Sequence, residues 1–134
     1  MIASIDHIVL TTAHLQDCIA FYRDVLGMTL ETFVGGTPPV ERMALKFGLQ
    51  KINLHVKGKE FEPKASLPTP GSLDLCFVAS LPLPEVIQQL QAHGVSIVEG
   101  PVARTGANGK IMSVYVRDPD QNLIEISRYQ DQAG

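Results

Sequence analysis

Residues 51–56, Lys-Ile-Asn-Leu-His-Val, and residues 122–127, Asn-Leu-Ile-Glu-Ile-Ser, decide how this chain folds. Both stretches are short and largely apolar and interrupted by polar side chains at alternating positions, which predicts β-strands with one face in a core. Each also places a metal-capable side chain, His55 or Glu125, in that apolar setting. Because successive strand side chains point to opposite faces, His55 and Glu125 are predicted to point away from the helix-packed face of a curved sheet.

A second pair of strand-like stretches repeats this arrangement. His7 follows Asp6 at the start of one, and Asp74 follows Leu73 at the start of the other. The separation of His7 from Asp74 along the chain nearly equals the separation of His55 from Glu125. The near match predicts two copies of one module, each supplying two potential metal ligands.

The predicted elements follow the order β-α-β-β-β twice, which predicts an α+β fold. Two βαβββ modules with curved mixed sheets would form one domain around a metal-binding cup. Module one spans about residues 3–56 and module two about residues 72–129, and the polar, proline-containing segment 57–71 is a linker or a lid. In the first module the predicted strands are 5–11, 28–34, 41–47 and 51–56, with a helix over 15–26. In the second the strands are 73–79, 95–98, 110–116 and 122–127, with a helix over 84–93 and a loop over 100–109.

The composition fits an ordinary globular protein of 134 residues, with 45% hydrophobic and 19% charged residues. The net charge of −3 predicts neither a nucleic-acid nor a membrane partner. No basic and apolar leader is recognised, so a cytoplasmic protein is expected. The two cysteines, Cys18 and Cys76, are predicted to be buried free thiols.

Two imidazoles and two carboxylates make a donor set for one divalent metal, Ni, Zn, Co, Mn or Fe. The expected ligands are His7, His55, Asp74 and Glu125. If Asp74 instead only caps the preceding loop, the remaining three resemble the two-histidine one-carboxylate set of non-haem iron. A structural alternative is that each strand histidine is only hydrogen-bonded and that Glu125 pairs with a nearby arginine. Arg104 is a candidate binder of a substrate anion.

Three motifs together resemble the glyoxalase/bleomycin-resistance/dioxygenase family, the vicinal oxygen chelate superfamily. They are Asp-His-Ile-Val-Leu at 6–10, Phe-Tyr-Arg-Asp-Val-Leu-Gly-Met at 21–28, and Arg-Asp-Pro-Asp-Gln-Asn-Leu-Ile-Glu at 117–125. The segments 60–64, 70–74 and 104–107 are similar to a small subgroup of glyoxalase-domain proteins, some of them virulence-associated in bacteria. True glyoxalase I enzymes usually carry Glu where His55 stands and His where Asp74 stands, and the turn carries Gln121 in place of Gly.

The resemblance implies a metal-dependent lyase or isomerase similar to lactoylglutathione lyase. It would act on a small oxygen-chelating substrate, with a glutathione adduct among the candidates, through an enediolate. Glu125, or Asp74 if it leaves the metal, would be the catalytic proton shuttle, and Arg104 with Lys110 would hold an anionic end. The alternatives are an Fe(II) extradiol-type dioxygenase and a metal-independent protein that sequesters an antibiotic. A homodimer is expected, with His7 and His55 of one chain meeting Asp74 and Glu125 of the other.

Overall fold

The computed structural model describes residues 1–130, which form two compact units. The first unit comprises Met1–Ser72, and the second comprises the described residues from Leu73 onward. Each unit contains one four-stranded mixed sheet and one helical segment. The α+β class and the repeated β-α-β-β-β order are therefore confirmed, and neither sheet closes into a barrel.

The first unit has a sheet of order β1-β4-β3-β2. Strand β1 runs parallel to β4, and the β2–β3 and β3–β4 pairs are antiparallel. Its elements are β1 (His7–Thr12), helix α1 (Leu15–Ile19, continued by a π-helix over Ala20–Val25), β2 (Thr29–Gly35), β3 (Val40–Phe47) and β4 (Gln50–Val56).

The core of the first unit takes alternate strand positions and one face of the helix. Leu10, Leu45 and Ile52 are fully buried, as are Cys18 and Tyr22 from the helical segment. The opposite strand positions carry His7, His55 and other polar residues, so the predicted separation of an apolar face from a polar face holds in this unit.

The second unit repeats the topology, with the order β5-β8-β7-β6 and a parallel β5–β8 pair. Helix α2 packs on β7 and buries Val86 and Leu90. The elements are β5 (Asp74–Val78), α2 (Leu83–Ala92), β6 (Glu99–Gly106), β7 (Gly109–Arg117) and β8 (Leu123–Tyr129).

Three predictions for the second unit are wrong. The second strand of this unit is not 95–98, and 100–109 is not a loop, because β6 occupies Glu99–Gly106. Gly100 and Pro101 look like turn residues, but pairing with β7 overrides that local signal, and the register shifts between Glu99 and Val102. Cys76 is also exposed, although both thiols are free as predicted. It lies on the same side of β5 as Asp74, facing away from the apolar core.

The turn between β7 and β8 is held by one buried carboxylate. Asp118 Oδ1 accepts hydrogen bonds from the backbone N–H groups of Asp120 and Asn122, both at 2.9 Å. Asp118 Oδ2 accepts a third from Asn122 Nδ2 at 2.7 Å. The Oδ1 atom of Asn122 then accepts from the N–H of Leu73 at 2.9 Å, which ties the turn to the start of β5. This network fixes where β5 and β8 begin relative to each other.

No helix within residues 1–130 is long and apolar enough to cross a membrane. The cytoplasmic location stays a prediction.

Candidate functional site

Asp74 and Glu125 lie on the same face of the second sheet. Asp74 is paired with Leu123, and Cys76 with Glu125, so the two carboxylates sit on neighbouring parallel strands with an offset of two residues. That offset corresponds to roughly 8 Å between their Cα atoms, from a rise of about 3.3 Å per residue and a strand spacing of about 4.8 Å. Both carboxylates can therefore reach a common ligand.

A cavity of about 380 Å³ opens on this face of the second unit. Its walls combine three carboxylates, two arginines and a tyrosine, a chemistry suited to a small polar or charged molecule. The lining residues are Asp74, Val98, Glu99, Arg104, Tyr115, Arg117, Leu123 and Glu125.

Ser113 holds the Glu125 carboxylate in place. The buried Ser113 hydroxyl donates a hydrogen bond to Glu125 Oε2 at 2.6 Å. Ser113 lies on β7 two residues before Tyr115, which is paired with Glu125 across the strands. One oxygen of Glu125 is thus engaged with the sheet, while the residue lines the cavity.

Arg104 is anchored to the wall of the same cavity. Its Nε donates to the Tyr115 hydroxyl at 3.1 Å, and its Nη2 lies 3.4 Å from Glu99 Oε2. The bond to Tyr115 and the nearby Glu99 raise the pKa of Arg104, so it stays cationic. The predicted anion binder therefore lines a cavity that also contains Asp74 and Glu125.

Lys110, the other predicted anion binder, does not line this cavity. It is paired with Thr105, one residue beyond Arg104, and therefore points to the opposite face of the sheet. Tyr115 and Arg117 line the cavity instead, and neither was predicted from the sequence as a residue of the site. The alternation along β7 contained the signal, because the odd-numbered positions from 111 to 117 share the face of Glu125.

His7 and His55 share one face of the first sheet but lie at different levels along it. His7 is paired with Lys51, whereas His55 is paired with Thr11. The two histidines are thus four positions apart, about 13 Å along the strands. Asn53, paired with Val9, is only two positions from His7. His7 and Asn53 therefore have the same offset in the first unit that Asp74 and Glu125 have in the second.

The two histidines differ in environment. The His7 side chain is 42% exposed, and its Nδ1 lies 2.8 Å from Asp6 Oδ1. His55 is buried, at 7% exposure. Burial and the neighbouring Arg42 charge lower the pKa of His55, which keeps the imidazole neutral at pH 7. A neutral imidazole is the form that binds a metal or exchanges a hydrogen bond with a ligand.

The described residues fit a metal ion in donor chemistry, although they contain no group of three or more His, Cys, Asp or Glu side chains placed to hold one. Among residues 1–130, the Oδ1 atom of Asn53 is buried without a hydrogen-bond partner. An amide oxygen in that state is a hard donor of the type that divalent ions accept. His7 with Asn53, and Asp74 with Glu125, thus give two similar donor pairs.

The sequence profile of the Glyoxalase/Bleomycin resistance protein/Dioxygenase superfamily matches residues 4–126. The chain belongs to this superfamily. Virulence protein STM3117 of Salmonella typhimurium is 57% identical over 129 residues, covering 96% of this chain and 86% of that protein. Glyoxalase domain-containing protein RDO1 of Mycosarcoma maydis is 55% identical over 130 residues, covering 97% of this chain and 70% of that protein. The resemblance and its virulence-associated subgroup are thereby confirmed.

Solved structures of several other proteins have the same fold. The crystal structure of the Salmonella protein matches with a TM-score of 0.90 and 56% identity, covering 96% of this chain and 98% of that one. Lactoylglutathione lyase from Agrobacterium tumefaciens matches with a TM-score of 0.68 and 25% identity, covering 96% and 95%. A mutant of the fosfomycin resistance protein FosX from Listeria monocytogenes, complexed with Mn(II), matches in fold, with a TM-score of 0.65, 20% identity, and coverage of 98% and 94%.

Proposed function

We propose that this protein is a metal-dependent lyase or isomerase that acts on a small oxygen-chelating substrate. The observation that carries the proposal is the cavity of the second unit, where the Glu125 carboxylate and the Arg104 cation line one space of about 380 Å³. A proton acceptor and an anchored cation are what a proton shift on a small anionic carbonyl compound requires. The likeness to lactoylglutathione lyase supports this reaction class.

Glu125 would move the proton. Its carboxylate takes the proton from the carbon beside a carbonyl, which leaves an enediolate, and then returns the proton to the neighbouring carbon. Ser113 keeps the carboxylate oriented through its 2.6 Å bond during both transfers. Arg104, held by Tyr115, would bind the anionic end of the substrate, and Arg117 offers a second cation at the wall.

A divalent metal, when bound, would polarise adjacent substrate oxygens as a Lewis acid. His7, Asp74 and Glu125 are the proposed ligands in this chain, as expected from the sequence. For the fourth ligand the sequence pattern favours His55, whereas the strand offset and the unpartnered Oδ1 favour Asn53. Lys110 has no part in the proposal, because it lies on the other face of the sheet.

Metal content measured by elemental analysis tests the ligand set. His7→Ala and Asn53→Ala should each lose most of the bound Ni, Co, Mn, Zn or Fe, whereas His55→Ala should retain it. Circular dichroism of each variant controls for folding. Metal lost from His55→Ala and retained by Asn53→Ala would restore His55 as the ligand.

Turnover of methylglyoxal with glutathione, followed in the ultraviolet, tests the reaction class. Glu125→Gln should lose at least about a hundredfold in rate, because a general base typically contributes 10²–10⁴-fold. Glu85→Gln, the same change at an exposed position of α2, should leave the rate unchanged. Oxygen uptake with catechols under Fe(II), without any isomerisation, would instead select the dioxygenase.

We further propose a homodimer with sites shared between chains, because two-fold dimers are the commonest soluble assembly. Differently tagged His7→Ala and Glu125→Ala chains should be co-expressed and the heterodimer isolated. If one chain supplies His7 and the other Glu125, one of the two sites keeps all its ligands and about one metal per dimer remains. A metal-free heterodimer beside a loaded wild-type dimer would refute the sharing.

A further inference from the structure

Two neighbouring side chains in the first unit each carry a buried nitrogen atom that has no hydrogen-bond partner among residues 1–130. They are Arg42, whose Nε lacks an acceptor, and His55, whose Nδ1 has no partner. An unpaired buried polar group costs free energy, and a cluster of such groups in a native protein calls for a functional explanation. The third unpaired group, Asn53 Oδ1, is the proposed metal ligand.

Arg42 and His55 are adjacent on the same face of the sheet. Met43 is paired with Leu54 in the antiparallel β3–β4 ladder, so the next position of that ladder sets Arg42 opposite His55. Phe33 of β2 is paired with Arg42 on the other side. The unpaired donor of Arg42 and the unpaired nitrogen of His55 can therefore form hydrogen bonds with the same small molecule.

The ring of Phe61 packs against both of these groups. The Arg42 guanidinium carbon lies 4.2 Å from the Phe61 ring centroid. The His55 ring meets Phe61 edge to face, at 5.5 Å between centroids. Phe61 belongs to the connection between β4 and β5, which contains neither helix nor strand. A side chain on such a segment can leave its place without breaking a sheet.

The guanidinium of Arg42 lies close against Gly36. A Cβ atom on Gly36 would overlap the guanidinium of Arg42, so the glycine leaves room for that group. Gly36 also has a φ of +85°, which a residue with a side chain rarely adopts. The guanidinium thus lies between Gly36 and the Phe61 ring, with Nε buried and unpaired.

We propose that Arg42 and His55 form a recognition site for a small aromatic 2-hydroxy acid, and that Phe61 is a plug which the ligand displaces. The ring of the ligand takes the place of the Phe61 ring between the guanidinium and the imidazole. Its carboxylate accepts from Arg42 Nε, and its hydroxyl pairs with His55 Nδ1. The site lies in the first unit and goes beyond the proposed function, which uses the cavity of the second unit; it rests on that function only in leaving His55 free of the metal.

Three probes divide this ligand into its parts. Mandelate has the ring, the carboxylate and the hydroxyl, phenylacetate lacks the hydroxyl, and lactate lacks the ring. Calorimetric titrations are run with a chelator present, because mandelate also binds metals. Binding is then measured in the absence of metal, so a failure of the metal proposal does not affect this test. Mandelate should bind roughly tenfold more tightly than phenylacetate, since one buried hydrogen bond contributes about 1.4 kcal/mol. Equal affinity of mandelate and phenylacetate would refute the role of His55.

The variants test the groups separately. Phe61→Ala removes the ring that fills the space beside Arg42 and His55. Lactate should therefore bind several-fold more tightly, because it no longer has to displace a stacked ring. Arg42→Ala should weaken mandelate at least tenfold. Lys46→Ala removes a cation of the same strand and face as Arg42 and should leave mandelate binding unchanged. No binding of any probe to wild type or Phe61→Ala, or equal losses in the two cation variants, would overturn the site.

Displacement of the plug can be observed directly, because the chain contains no tryptophan. In Phe61→Trp the indole emission should shift to longer wavelength when mandelate is added, as the ring moves from its packed position into water. Addition of acetate to the same concentration is the control and should cause no shift. An unchanged emission at saturating mandelate would show that the aromatic side chain stays in place and would refute the plug.

Discussion

Removing the Asp118 carboxylate should cost this protein a large part of its stability. Asp118 is 1% exposed and accepts three hydrogen bonds, two from backbone N–H groups and one from Asn122 Nδ2. In Asp118→Ala those donors lose their acceptor, and Asn122 is itself buried at 1% exposure. At about 1–3 kcal/mol for each buried donor left unpaired, and less for the part-buried Asp120 N–H, the loss is about 3–4 kcal/mol.

That loss converts into a fall in melting temperature. An unfolding entropy of about 2.1 cal/mol/K per residue gives roughly 0.28 kcal/mol/K for this chain, so Tm should fall by about 10–14 °C. Asp118→Asn keeps one oxygen acceptor but places an amide against Asn122 Nδ2, and should lose about 4–7 °C. Glu41→Ala, at an exposed strand position, should stay within about 2 °C of wild type.

The assay is calorimetry of the three variants, with circular dichroism at room temperature as the check on folding. A folded Asp118→Ala protein that melts within about 4 °C of wild type would refute the hydrogen-bond reasoning. Because the same network fixes the starts of β5 and β8, Asp118→Ala should also lose metal affinity through a shifted offset between Asp74 and Glu125.

Three further predictions follow from single features of the two units. Gln121 has a φ of +72°, so Gln121→Gly should raise Tm by about 2–4 °C, as relief of the left-handed strain exceeds the entropy that glycine adds to the unfolded chain. The pKa of His55 is lowered from its usual 6.5 in the folded state, so the unfolded chain binds that proton more readily. The stability contributed by neutral His55 is therefore complete above about pH 6.5 and is lost as the pH falls below it. Urea midpoints measured from about pH 5 to 8 should show this fall in stability at low pH, and His55→Gln should reduce the dependence on pH. Tyr115→Phe frees the Arg104 side chain, so it should raise KM for an anionic substrate about three- to tenfold with little change in kcat, and a fall in kcat alone would contradict the anchoring role.

The strand periodicity was readable in the sequence because it is local. Alternation alone put His55 on the polar face of β4 and Glu125 on the polar face of β8, and the structure has both there. The repeated β-α-β-β-β order predicted the α+β fold, and the family resemblance covered nearly the whole chain. Arg104 was predicted as a cation in a glycine-containing loop, and that segment is a strand.

The pairing of strands was decided only by the tertiary structure. The β1–β4 register decides which residue lies beside His7, and hydrogen bonds between segments distant along the chain set that register. It places Asn53 closer to His7 than His55. The strand β6 also exists because β7 supplies its partners, against the local signal of Gly100 and Pro101. A periodic sequence fixes the face on which a side chain lies, whereas its neighbours on that face come from backbone pairing between distant segments.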